Sequence, residues 1–330
     1  MSEEHEVSAP QVAGRWLGIV GLFVAPPTVI TSLCYYFGLV STRQNMRYFG
    51  IDANAMGFTT SDYVVNSISV LFGPIIVLLL AWAALLWAGE YVLRLAKPGR
   101  HTRLMRALGW TAIILGAAGT ARGLAGVAGV ALPQLALIHS ATLTPWALGL
   151  GTASLLAGSW LLATSRTGAR PRPFGAAARV SVLVAGAVIA LALFWLTNIY
   201  ATAYGQTQAE TTAGQLWSRE TVVVLDTSQR LGAPTNLIAE SMLPSDGSGK
   251  DATFRYQCFR TLIVRGNLWV LVPARWTPED GYAVIVTADS AHRISLTRLK
   301  GIAKKEAANW GAGNWPCPEV APAKALAAGA

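Results

Sequence analysis

Long apolar runs separated by short polar stretches fill the first two hundred residues, and a near-alternating pattern replaces them afterwards. Backbone groups inside a bilayer must be hydrogen-bonded within their own segment, so such runs read as helices, and about 20 residues suffice to span the hydrocarbon. Five runs qualify, at 16–40, 67–93, 108–131, 146–164 and 178–199. Beyond residue 200 the period shortens toward two. Residues 221–226 (TVVVLD) predict a buried strand, and 260–264 with 268–272 flank Arg265-Gly266-Asn267 as a hairpin with a three-residue turn. Residues 283–287 and 292–296 predict a second hairpin around Asp289-Ser290-Ala291, and 253–259 extends the sheet. Residues 204–217 predict a polar helical stalk continuing the fifth span. Thr59-Thr60-Ser61-Asp62 has capping-box spacing, with Asp in place of Glu, so a helix starts near residue 60 and runs into the second span.

The expected fold is therefore an α-helical membrane bundle of five transmembrane helices, N-terminus inside, with a small extracytoplasmic β-rich (α+β) domain. Its parts are a cytoplasmic tail at 1–15, the bundle at 16–199, the outer domain at 200–317 and a flexible Ala/Pro-rich tail at 318–330. Composition agrees. Of 330 residues 53% are hydrophobic and 13% charged, and mean hydropathy is +0.42. Soluble proteins carry about 25% charge, so a wholly soluble or disordered chain is excluded.

Net charge is +9, which invites a nucleic-acid partner, but its placement argues for the lipid bilayer instead. Residues 201–330 balance 13 basic against 11 acidic side chains, while 15–200 hold 13 against 3. The excess gathers in two loops, at Arg94, Lys97, Arg100, Arg103 and Arg106 and at Arg166, Arg170, Arg172 and Arg179. The loop between them, at 134–145, has no charge. By the positive-inside rule the basic loops are cytoplasmic, which leaves the N-terminus inside and everything after residue 200 outside. The expected location is the cell membrane.

The third span carries two features. Gly109, Ala112, Gly116, Gly119, Gly123 and Gly126 recur at steps of three and four, which places them on one stripe. Small residues let another backbone approach closely. The partner is either a helix of the same chain or a neighbouring copy, which would make a homo-oligomer. Arg122 lies about nine residues from the outer end of this span, roughly 13 Å at helical rise. A charge at that depth is costly and marks either a functional site or an arginine bonded to kinked helices. The Gly/Ala-rich helix is also similar to the pore-lining helices of small mechanosensitive channels, although those channels place their large domain in the cytoplasm.

Of three cysteines, Cys34 falls in the first span, while Cys258 and Cys317 fall in the expected outer domain, where they form a disulfide or remain two thiols. The four histidines are scattered. Only His292 lies in the outer domain, beside a turn. No His/Cys group has metal-ligand spacing and no phosphate-binding loop occurs, so neither a metal nor a cofactor is expected and no catalytic residue is assigned.

Tyr35-Tyr36-Phe37-Gly38, Tyr48-Phe49-Gly50-Ile51-Asp52 and Gly57-Phe58-Thr59-Thr60 with Asp62-Tyr63 resemble a family of multi-pass membrane proteins of actinobacteria. The outer block 259–264, Gly266, 269–273 and Trp276-Thr277-Pro278 is similar to theirs as well. The excess of 20 Arg over 6 Lys suits a high-GC genome. The resemblance implies this architecture and adds no catalytic residue. Two functions follow from the residues. One is a non-enzymatic membrane protein whose outer domain senses or binds an envelope component or partner protein. The other is an oligomeric channel or transporter, lined or gated by the Gly-rich third helix with Arg122.

Overall fold

The structure, a computed structural model, describes residues 9–95, 102–129, 142–167, 176–219, 221–234, 237–243, 253–289 and 292–297. Within these, five helices precede an antiparallel sheet: α1 (Ala9–Tyr48), α2 (Thr60–Leu95), α3 (Thr102–Val127), α4 (Leu143–Thr167) and α5 (Ala176–Arg219). The sheet strands are β1 (Val222–Thr227), β2 (Ala239–Leu243), β3 (Thr253–Arg265), β4 (Leu268–Pro273), β5 (Val284–Thr287) and β6 (His292–Thr297). The chain divides into two compact units. A helical unit holds Met1–Gly38 and Val64–Ala203, and a sheet unit holds Leu39–Tyr63 and Tyr204–Ala330. The sheet unit thus takes in the α1–α2 connection, which the sequence pattern left with the membrane half.

In the helical unit, four helices are long and apolar enough to cross a membrane, within Thr60–Val92, Arg103–Val127, Leu143–Ser165 and Arg179–Leu216. Their outer faces are apolar. Phe72 (65% exposed), Leu80 (65%) and Trp87 (82%) of α2 face outward, a surface suited to lipid and not to water. α1 meets α5 through Tyr36, Phe37 and Phe194, whose ring centroids lie 5.1–5.3 Å apart, and the Tyr36 hydroxyl donates to Asn198 Oδ1 at 3.1 Å. At 44 residues α5 is about 66 Å long, roughly twice the hydrocarbon thickness. Its last 16 residues, from Tyr204 on, belong to the sheet unit, as a stalk requires.

In the sheet unit α1 and α5 approach closely. A Cβ on Gly205 would lie 2.3 Å from the Ser41 carbonyl oxygen, so glycine is required there. The strand order is β5-β4-β3-β1-β6, with β2 also paired to β3. Alternation along the strands divides two cores. On one face Val270 and Val272 of β4 pack with Trp276, with Ala209 and Leu216 of α5, and with Met46, Phe49, Ile51, Ala53 and Met56 of the α1–α2 segment. On the other, Val223, Leu225, Tyr256, Phe259, Leu271 and Val286 pack with Leu237 and Ile238. The Asp52 carboxylate accepts from the Asn54 amide at 2.9 Å and starts a single 3-10 turn, Ala53–Met56, that seats Ala53 and Met56 in the first core.

Two sequence expectations need correction. The β3–β4 turn has two residues, because Arg265 pairs directly with Leu268. Gly266 at its first central position takes φ +55°, a conformation that favours glycine. The second predicted hairpin does not form. β5 pairs with β4, whereas β6 pairs with β1, so they occupy opposite edges. Thr287 and His292 are five residues apart, at most about 17 Å of chain, while five strands laid flat span about 19 Å, so the sheet is curled. Alternation alone carries no partner information, which is why two short strands flanking Asp289 looked like a hairpin.

Candidate functional site

The glycine stripe of α3 is filled by α4. A Cβ on Gly116 would lie 2.7 Å from the Leu155 amide nitrogen, and one on Gly123 would lie 2.8 Å from Leu148 Cα. A Cβ on Gly119 would lie 3.2 Å from Gly151 Cα, and one on Gly126 would lie 2.6 Å from Thr144 Oγ1. The contact is reciprocal. A Cβ on Gly151 would meet the Thr120 amide nitrogen at 2.5 Å, and one on Gly158 the Gly109 carbonyl at 2.8 Å. Sequence reasoning missed Gly151 and Gly158. Their signal is a weaker stripe, Ala147, Gly151 and Gly158, at steps of four and seven.

α3 ends at Val127, so Arg122 is about 7.5 Å from the helix end, nearer than the nine residues counted along the apolar run. The apolar run to residue 131 had overstated the helix. Its Nη1 donates to Thr144 Oγ1 at 3.5 Å, and Thr144 lies in the first turn of α4. Arg122 thus joins the adjacent ends of the α3–α4 pair. Sharing that place with Gly126, whose added Cβ would approach Arg122 Nη1 at 3.0 Å, it leaves no space for a larger residue there.

Charged groups of the sheet unit are paired at fixed positions. Asp226 of β1 stands opposite Arg255 of β3 and Arg293 of β6 in register. Arg255 grips it with both ends of its fork, Nε donating to Oδ1 at 2.7 Å and Nη2 to Oδ2 at 2.9 Å. These hydrogen bonds hold the Asp226 carboxyl below the ordinary carboxylate range against the opposing effect of burial, and they raise Arg255. The Tyr256 hydroxyl accepts from the Leu231 amide at 2.8 Å, and burial pushes its pKa up.

Strand β3 also places two arginines on helix ends. Arg260 is fully buried, and its Nε donates to the Leu216 carbonyl at 3.1 Å. Leu216 is among the last four residues of α5, whose carbonyls have no partner within the helix. A guanidinium there meets the negative end of the helix dipole. Arg265 pairs with Asp62 at the start of α2 and lies 4.5 Å from the Phe58 ring centroid. The capping box predicted for Asp62 forms. Its Oδ2 accepts from the Thr59 amide and hydroxyl, both at 2.7 Å, while Thr59 Oγ1 accepts from the Asp62 amide at 3.4 Å.

His292 Nδ1–H donates to Asp289 Oδ1 at 2.8 Å. Cys34 is a free thiol. Cys258 is 2% exposed on β3 with φ +77°, and its carbonyl accepts from the Ala274 amide at 2.8 Å. Cys317 and the 318–330 tail lie outside the described residues. Among the described residues no three His, Cys, Asp or Glu side chains gather as a metal ion would need. No family model, curated protein or solved structure matches the chain.

Proposed function

We propose that the chain is a non-enzymatic, multi-pass cell-membrane protein whose C-terminal sheet unit binds or senses an envelope component or a partner protein outside the cell. The observation that carries this reading over the pore is the α3–α4 interface. A channel built from third helices of neighbouring copies needs the glycine stripe for its axis, and that stripe is filled by α4 of the same chain. Arg122, near a helix end and bonded to Thr144, serves the same pair of helices.

The sidedness belongs to the proposal, and a parity argument supports it. Leu39–Tyr63 and Tyr204–Ala330 share one compact unit, so they lie on the same side of the bilayer. Four helices lie between them, and an even number of crossings returns the chain to its starting side. With α1 as a fifth span, the basic loops at 94–106 and 166–179 are cytoplasmic and the sheet unit is extracytoplasmic. A Cys258–Cys317 disulfide suits that compartment.

The test has two arms on the purified full-length protein. Reconstituted liposomes are assayed for ion flux across voltage and membrane tension, with Arg122→Ala beside the wild type. Absence of flux in both is expected, and flux abolished by Arg122→Ala would overturn the reading in favour of the channel. In intact cells, a cysteine at exposed Asp280 should react with an impermeant maleimide and one at Arg103 should not; the reverse pattern would overturn the sidedness.

A further inference from the structure

The two arginines of β3 are five residues apart on one strand, and each holds the end of a different helix. Arg260 binds a terminal carbonyl of α5, and Arg265 binds the cap of α2. At α2 the convergence is unusually close. One oxygen, Asp62 Oδ2, takes the Thr59 amide, the Thr59 hydroxyl and the Arg265 guanidinium. The atom that satisfies an orphan donor at the helix start is therefore the atom that records where the hairpin tip stands. Phe58 completes the arrangement. Its ring lies under the Arg265 guanidinium and 5.6 Å from the Tyr63 ring, so the guanidinium is held by charge on one side and by a π face on the other.

We propose that β3 is a coupling strand and that Arg265 is a latch on α2. When the β3–β4 hairpin shifts along the strand direction, Asp62 loses Arg265, its carboxylate turns, and the first turn of α2 becomes labile while Arg260 keeps the end of α5 in place. The latch is partly open to solvent, with Arg265 23% and Asp62 31% exposed, so the exchange of partners needs no opening of the core. The inference concerns motion within the sheet unit and holds whatever that unit binds. Neither outcome of the flux or labelling assays bears on it.

Hydrogen exchange of the full-length protein in lipid nanodiscs tests it. Arg265→Ala should speed exchange across the first turn of α2 roughly three- to tenfold, the range set by losing one cap-linked ion pair, with β1 and α3 at wild-type rates. Asp62→Asn combined with Arg265→Ala should add little to the single variants, because both remove one linkage. Arg265→Lys keeps the charge but loses the planar stack, and intermediate exchange is expected. Wild-type exchange at α2 in Arg265→Ala, additive effects in the double variant, or a rise spreading equally into β1 would overturn the latch. Should Arg265→Ala fail to fold, Arg265→Lys decides: intermediate exchange supports the latch and wild-type exchange overturns it.

Discussion

Replacing Gly151 by alanine adds one methyl group to the middle of α4, and its cost can be worked from the backbone around it. That Cβ would lie 2.5 Å from the Thr120 amide nitrogen, 2.8 Å from the Gly119 carbonyl carbon and 2.9 Å from Thr120 Oγ1. Two of the three are backbone atoms of α3, which no rotamer change can move. Restoring an ordinary contact requires the helices to part by about 0.9 Å, and a gap of that size forfeits a quarter to a half of each dispersion contact. Overpacking of this kind costs about 1–3 kcal/mol, while alanine returns about 1 kcal/mol of helix propensity. Between helices in lipid there is no hydrophobic term to compensate. A net loss of up to about 2 kcal/mol is expected. Gly186 of α5 supplies the control, since its Cβ would meet nothing within 4 Å. Gly186→Ala should be neutral or stabilising by up to about 1 kcal/mol. Reversible denaturant titration in micelles, followed by the fluorescence of Trp146 and Trp160 on α4, measures both. Equal stability of the two variants would refute the close α3–α4 contact.

Three further outcomes follow from the sheet unit. Because Arg255 lowers the folded-state pKa of Asp226, the unfolded chain takes up that proton first; the pair's contribution is complete above the ordinary carboxylate range and is lost as pH falls through the folded value. Thermal melts from pH 7 to 3 should therefore decline more steeply for the wild type than for Asp226→Asn, and parallel curves would contradict the pairing. Arg260→Met keeps length and burial but leaves the Leu216 carbonyl unpaired, so a loss of about 2 kcal/mol is expected in the same melts, with faster exchange confined to the last turn of α5. For the proposed disulfide, digestion without reductant should yield a Cys258–Cys317 linked peptide that separates on reduction, while Cys34, the free thiol, alkylates in both conditions.

Features set by a residue's own neighbours along the chain were legible in the sequence. The cap at Asp62, the strand read at 221–226 and the stalk read at 204–217 depend on spacings of one to four residues, and each appears within two residues of where the pattern placed it. The glycine stripe was legible as a need for a partner, but the partner was not, because Gly151 and Gly158 are too sparse to mark a face without α3 beside them. Arg265 was read only as part of a turn. Its carboxylate lies 203 positions earlier, and nothing in either local pattern announces the other. The end of α3 was not legible, because apolar residues continue past Val127, where the helix ends. The two edge strands β5 and β6 were misassigned for a related reason, since pairing is a property of the whole sheet.

The shared unit formed by Leu39–Tyr63 and Tyr204–Ala330 also sets a schedule for synthesis. Met46, Phe49, Ile51 and Met56 emerge from the ribosome first, but the strand that buries them, β4, is made more than two hundred residues later. At about 5–20 residues per second these side chains wait on the order of ten seconds or more for the strand that covers them. Throughout that interval their apolar surface is uncovered while the intervening helices are threaded into the bilayer. Folding of the sheet unit is thus gated by completion of the helices between its two segments, and a chain arrested before β4 leaves half of a single core uncovered.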